Sequence, residues 1–355
     1  MTQTLFTVGP VEMYPESLRI GGEQLPYFRT PEFSGIVKFC DETMRELAGA
    51  SADSRTVFLT ASGTGAMEAA VINTVGGSER ALVIRGGSFG ERFGEICRDN
   101  GIEFDAMDLE PGRSLPPEVL ERANLSRYKA LLVNAHETST GLLYDMDRIG
   151  EACRKAGTML IVDAISAFLC DPIHMEKMGI DLLITSSQKA LALPPGLSLM
   201  VLGPRALDTA RHIRPRSHYF GLKKYLEDGE RGQTPFTPAV GVILQLRERL
   251  ESIRKEGVEN LVRRSASLAR HFRSSIAGLP FAIFPDRPSN ALTALAPTNG
   301  VSAYEIYTKL KEGYGLVVTP NGGKLKDRVF RVGHMGNLDE SKLDALARAL
   351  KEISR

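Results

Sequence analysis

Two residues of this chain have types and positions that invite chemistry. Asp163 ends the apolar run Met159–Val162, and Lys189 follows the run Asp181–Thr185 and the polar cluster Ser186, Ser187, Gln188. Short runs rich in Ile, Leu and Val between helical segments read as buried strands of a parallel sheet. Open sheets of that kind bind ligands beyond the carboxyl ends of their strands, which is where both residues fall. The apolar flank Ala190–Leu193 is expected to depress the pKa of the Lys189 amine and favour a nucleophile or Schiff-base former. Taken singly, each has a plainer reading: Asp163 as a helix N-cap, Lys189 as a solvated strand-end residue.

An acid and an amine so placed suit a cofactor with a basic ring nitrogen and an aldehyde, and pyridoxal phosphate (PLP) has both. The carboxylate keeps the pyridinium nitrogen protonated, so that the ring can act as an electron sink. A third stretch, Thr60-Ala61-Ser62-Gly63-Thr64-Gly65-Ala66-Met67-Glu68-Ala69, runs from a strand through a small hydroxyl-rich turn into a helix. Helix N-termini carry free N–H groups and the positive end of the dipole, so this turn can hold a phosphate. No lysine follows the glycines and the spacing is not GxGxxG, so neither a Walker loop nor a dinucleotide fingerprint is present. An ordinary capped helix is the plainer reading.

The elements that must position these residues belong to a chain of 355 residues, a length that suggests two domains. Hydrophobic residues make up 43% and charged residues 25%, enough to bury a large core. With 44 basic and 43 acidic residues, nothing marks a nucleic-acid or membrane surface. No apolar run approaches the roughly 18–20 residues that span a bilayer, and MTQTLFTVGPVEMYP does not read as a secretory signal. Cys40, Cys97, Cys153 and Cys170 lie far apart without metal spacing, so reduced thiols, no metal and a cytoplasmic location are expected. Residues 1–20 read as an extended arm. Phe33–Ala48 reads as an amphipathic helix, and strands and helices then alternate from Val57 to Thr185, an order that argues for a mostly parallel sheet covered on both faces. Leu199–Leu202 reads as an antiparallel strand, and the pattern is irregular from there to Pro238. Gly241–Lys255 is helical, and the remainder reads as a smaller α/β unit.

The hydroxyl-rich turn, Asp163, Lys189 and their order resemble the class V aminotransferases of PLP fold type I, over nearly the whole sequence. SGTGAMEA is similar to that family's phosphate turn, HETSTGLL to its pyridine-oxygen contact loop, and SSQK followed by PPG to its Schiff-base segment. The resemblance implies an α/β fold: an N-terminal arm (1–20), a large PLP-binding domain (21–257) with a mostly parallel seven-stranded sheet between helices, and a small C-terminal α/β domain (258–355). It implies PLP as cofactor, Lys189 as Schiff-base lysine and proton carrier, and Asp163 as partner of the pyridine nitrogen. Ser62, Gly63 and Thr64 would bind the phosphate with Gln188 beside them, Phe89 would stack on the ring, and Thr138 would contact the ring 3-oxygen. Thr237, with Gln233 and Thr234, would reach the phosphate of a neighbouring subunit, which implies a homodimer with shared active sites. Arg331 would clamp a substrate carboxylate, for which a guanidinium offers two parallel N–H donors. His334 is an open candidate for the pocket wall.

The substrate is less legible. Tyr27-Phe28-Arg29-Thr30-Pro31-Glu32-Phe33 resembles the HR-x-PEF segment of alanine–glyoxylate and serine–pyruvate enzymes, with Phe28 where a His is usual. Phe28 and Arg29 are therefore expected at the substrate entrance. HETSTGLL and VDAISAF are as similar to 2-aminoethylphosphonate–pyruvate transaminases, whose phosphonate calls for extra positive charge; Arg29, His218, Lys223 and Lys224 are candidates for it, or a solvated face. The expected activity is ping-pong transfer of an amino group from a small amino acid to pyruvate or glyoxylate, with the aminophosphonate as runner-up. A catalytically altered PLP-fold binding protein is more distant. Cysteine desulfuration is disfavoured, because no cysteine follows Cys170.

Overall fold

Seven short strands build the central sheet of the computed structural model, which describes residues 3–214 and 216–354. They are β1 (Arg55–Leu59), β2 (Arg80–Arg85), β3 (Glu103–Asp108), β4 (Ala130–Asn134), β5 (Met159–Asp163), β6 (Leu182–Ser186) and β7 (Ser198–Leu202). Across the sheet the order is β1-β7-β6-β5-β4-β2-β3. β7 runs antiparallel to both its neighbours and the other pairs are parallel. This is the expected mostly parallel α/β sheet, with its antiparallel strand where the sequence places it.

Side chains alternate between two core layers. Leu131, Val133, Leu160 and Val162 enter one, and Ala130, Leu132, Met159 and Ile161 enter the other, as the two-residue period of a strand requires. The same alternation runs on to the strand ends. Asn134 continues Ala130 and Leu132, Asp163 continues Met159 and Ile161, and Ser186 continues Leu182 and Ile184. These three polar residues therefore share the face covered by α1 (Gly63–Ile72), whose Ala66, Ala69 and Ala70 permit close approach to the sheet. α2 (Ser88–Asp99) follows β2 and buries Phe93, Ile96 and Cys97 in the same layer.

A second, four-stranded antiparallel sheet is ordered Phe281–Ile283, Leu292–Pro297, Phe330–Gly333, Thr319–Pro320. Helices Val258–Ser275, Ala303–Tyr314 and Glu340–Ile353 contribute with it to a third core. Phe330 and Val332 are fully buried in that core. Alternation turns Arg331 to the opposite face, toward the first sheet.

Three stretches depart from the sequence reading. The N-terminal segment is not simply extended: Thr4–Leu5 pairs in parallel with Leu316–Val317, and Pro15–Gly21 is helical with proline at its first position. The stretch read as irregular before Pro238 contains helices Pro204–His212 and Leu222–Glu230. The first begins at Pro204, directly after the strand Leu199–Leu202 and Gly203, because proline is tolerated in a first helical turn. His136–Glu137 and Leu142–Leu143 form a small hairpin too short to show any period. Cys40, Cys97, Cys153 and Cys170 are all buried and unpaired. Among the described residues no helix is long and apolar enough to cross a membrane.

Candidate active site

The carboxyl edge of the central sheet gathers most of the residues singled out by type. Asp163 is the last residue of β5, pairs in register with Asn134 on one side and Ile184 on the other, and is 5% exposed. One of its oxygens accepts the Ile165 N–H at 2.8 Å. Burial raises its pKa to about 6; the Ile165 N–H and the Lys189 and Arg92 charges act against the rise, and Glu137 adds to it. A buried carboxylate of this kind calls for a cationic partner, which a protonated ring nitrogen supplies. Lys189 lies three residues past β6, 8% exposed, and its Nζ donates to the Val8 carbonyl at 2.6 Å. Burial first, then the Arg331 charge, lowers its pKa to about 8, while Asp163 opposes the shift. The N-terminal segment closes on this lysine at Gly9: a Cβ there would stand 2.8 Å from Lys189 Cδ and 3.0 Å from the Gln188 carbonyl, at a φ of +129°.

The turn read from the sequence as a phosphate seat is the first turn of α1. Ser62 occupies the N-cap position but is exposed and makes no capping bond, so the first-turn N–H groups remain open to an anion. A Cβ on Gly63 would lie 2.4 Å from Ile165 Cδ1 and 3.5 Å from Ser186 Oγ, which places this turn directly beside the loop after Asp163. Ser186 Oγ and Gln188 Oε1 are buried without a hydrogen-bond partner. Thr64 Oγ1 accepts from Arg92 Nη1 at 3.2 Å, and the Arg92 guanidinium lies 4.7 Å from the centre of the Phe89 ring. Open helix N–H groups, orphaned polar atoms, a buried acid and a buried amine along one sheet edge match the donor and acceptor set of PLP.

Thr138 joins the two sheets. Its carbonyl accepts Arg331 Nη1 at 3.0 Å, while Arg331 Nη2 donates to the Pro320 carbonyl at 2.8 Å. Arg331 is 8% exposed, its Nε is without a partner, and burial, opposed by Glu137, brings its pKa down to about 10. Among the described residues it has no carboxylate partner, so a bound carboxylate would complete it.

Other candidates lie elsewhere. Arg29 is exposed and donates to Gln233 Oε1 at 3.0 Å and to the Thr234 carbonyl at 2.8 Å. Gln233 also donates to the Phe28 carbonyl and to Ser34 Oγ. Phe28, Arg29, Gln233 and Thr234 thus form one cluster, and no hydrogen bond among the described residues links it to Lys189 or Arg331. Thr237 is exposed; two residues on, the Ala239 N–H donates to Thr60 Oγ1 at 2.9 Å. His334 is 1% exposed, bonded to Thr293 Oγ1 at 2.8 Å and set against the Phe272 ring, a core position in the smaller unit.

Several participants escaped the sequence reading. Glu137, fully buried, accepts five donors: the Phe89, Gly90 and Ser139 N–H groups, Asn134 Nδ2 and Ser139 Oγ. His136 and Ser166 stand behind Thr138. The signal for His136 and Glu137 is the HETSTG run itself, in which the sequence points to Thr138 alone, and Ser166 lies in the VDAISAF segment. The Val8 carbonyl left no signal, because a backbone contact depends on where the chain passes.

The sequence profile of the Aminotransferase class-V family matches residues 28–325. The chain belongs to that family and is a PLP-dependent transaminase. Curated relatives include the small subunit of a soluble hydrogenase from a Synechococcus species, 30% identical with 98% of this chain and 92% of that one covered. Another is the serine–glyoxylate aminotransferase of Methylorubrum extorquens, 30% identical over 97% and 89% of the two chains. Among solved structures, an aspartate aminotransferase of subgroup IV from Thermus thermophilus superposes with a TM-score of 0.92, at 29% identity, covering 99% of each chain.

Proposed function

We propose that this transaminase moves an amino group from a small amino acid, of the alanine or serine type, to a 2-oxo acid such as pyruvate or glyoxylate, in two half-reactions at one site. Arg331 carries the reading: a single buried guanidinium with an orphaned Nε, held by two backbone carbonyls and matched to one carboxylate. The candidates for a second, phosphonate-binding charge are placed less favourably. Arg29 is committed to Gln233 and Thr234, His218 packs 5.5 Å from the Phe236 ring, and Lys223 and Lys224 are exposed. The name of the Methylorubrum relative fits a serine donor; that of the Thermus structure makes aspartate the acid to test against it.

PLP, when bound, supplies an aldehyde and a ring that takes up the electron pair left at the donor's α-carbon. Asp163 would hold the ring-nitrogen proton, its burial making the ion pair strong. Lys189 would hold the cofactor and then carry the proton leaving the donor's α-carbon, a task suited to an amine whose pKa has come down to about 8. Arg331 would orient the donor carboxylate, the α1 turn with Ser62, Gly63, Thr64 and Gln188 would hold the phosphate, and Phe89 would lie against the ring. Thr237, exposed beside the Thr60 turn, would reach the site of a second copy, and the cluster of Phe28, Arg29, Gln233 and Thr234 would border that site. The test is a matrix of donors (alanine, serine, aspartate, 2-aminoethylphosphonate) against pyruvate and glyoxylate. Highest kcat/KM for alanine or serine supports the assignment; preference for the phosphonate or for aspartate overturns it.

A further inference from the structure

Behind Thr138 lies a chain of buried polar groups with no role in the account above. Thr138 Oγ1 is 2.7 Å from Ser166 Oγ, and Ser166 Oγ is 2.9 Å from His136 Nδ1. All three residues are less than 5% exposed. His136 Nε2 has no partner. The charged groups that face this imidazole are Lys189, Arg331 and Arg273; burial, opposed by a backbone hydrogen bond at Ser166 and aided by these cations, lowers its pKa to about 3, so the ring is neutral and carries one proton.

The position of that proton fixes every other one. If it sat on Nε2, a buried N–H would lack an acceptor; Ser166 would donate to Nδ1, Thr138 would donate to Ser166, and Thr138 would have no proton left. If it sits on Nδ1, the imidazole donates to Ser166, Ser166 donates to Thr138, and one hydroxyl proton remains to be aimed. Orphaned buried N–H groups are the rarer defect. The contact of Ser166 Oγ to the His136 carbonyl, at 3.4 Å, is too long to compete for the serine proton.

We propose that His136 and Ser166 are positioning residues: the Nδ1–H tautomer of His136 directs the Ser166 proton to Thr138, and so frees the Thr138 hydroxyl proton to point at the cofactor's ring 3-oxygen. This rests on the reading of Thr138 as the ring-oxygen contact. A donor at that oxygen stabilises its anionic form, so losing it raises the pKa of the bound chromophore. Loss of a hydrogen bond to a charged group corresponds to a rise of about one to two pH units.

Two measurements test the relay in the PLP-loaded protein. Nitrogen-15 NMR of the unaltered protein, with His136 assigned by its absence in His136→Asn, should show a protonated Nδ1 and a bare Nε2; the reverse overturns the proposal. Titration of the visible band should give the same upward shift for His136→Leu and Thr138→Val, with no further shift in the double variant. His136→Asn, which keeps a donor, and Thr138→Ser should stay close to the parent. If His136→Leu lowers the melting temperature but leaves the titration in place while Thr138→Val moves it, the imidazole only packs and the relay is wrong. If neither moves it, although Lys189→Ala abolishes the band, the Thr138 assignment itself has failed.

Discussion

At the scale of single residues, one property does most of the work: burial moves the pKa values of ionisable groups away from those they have in water. Lys189 is the clearest case, its amine brought down to about pH 8 by burial and by Arg331. Below that pH the cofactor-free amine is protonated and inert as a nucleophile; above it the amine is free. Rapid mixing of cofactor-free protein with PLP should therefore show a binding rate that climbs about tenfold per pH unit up to about 8 and then levels. A climb continuing past pH 10 would mean that Lys189 does not feel its surroundings. Arg331 makes a second prediction. Replacing it by Gln removes about 2–4 kcal/mol of charge-assisted hydrogen bonding, a 30- to 1,000-fold loss in kcat/KM for amino acids. An amine without a carboxylate should lose far less; equal losses for both would show that Arg331 only supports the fold.

At the scale of elements, the site depends on two strand ends and two helix starts being locked to one another. Glu137 is the lock. It lies on a hairpin beyond β4 and caps the start of α2 through the Phe89 and Gly90 N–H groups, so the ring of Phe89 is aimed by a residue 48 positions later. Glu137→Ala strands these donors and Asn134 Nδ2 in a dry interior and should cost about 2–4 kcal/mol in urea unfolding. Glu137→Gln, which keeps an acceptor, should cost less; a cost below about 0.5 kcal/mol for the alanine variant would refute the role. Gly9 tests the approach of the N-terminal segment. At its φ of +129° and at 2.8 Å from Lys189 Cδ, a Cβ both strains the backbone and displaces the lysine. Gly9→Ala should weaken PLP binding, read from the visible band, by more than it lowers the melting temperature. The strands and long helices were legible because burial imprints a period on them, and Asp163 and Lys189 because polar groups at the ends of apolar runs stand out. The locks were not legible. Glu137 faces Phe89 only after β2 and β4 are paired side by side, and the helix Pro204–His212 hid behind a proline that reads equally as a break.

At the scale of the whole molecule, the site is a junction. Val8 comes from the N-terminal segment, Lys189 and Asp163 from the central sheet, and Arg331 from the second sheet, tied to the first through the Thr138 carbonyl. The part of the sequence reading that one copy of the chain leaves open is the exposed Thr237 and the Arg29–Gln233–Thr234 cluster. If these complete the site of a second copy, an inactive Lys189→Ala chain mixed with an inactive Thr237→Val chain should regain part of the parent activity once subunits exchange; no recovery despite verified exchange would place every catalytic group in one chain. The most direct measurement of the central claim is a single half-reaction without acceptor. PLP-loaded protein mixed with excess alanine or serine should lose its visible band with one 2-oxo acid formed per site, and should recover it when glyoxylate or pyruvate is added; Lys189→Ala should do neither. A band that no amino donor bleaches, in protein that binds PLP through Lys189, would contradict the account.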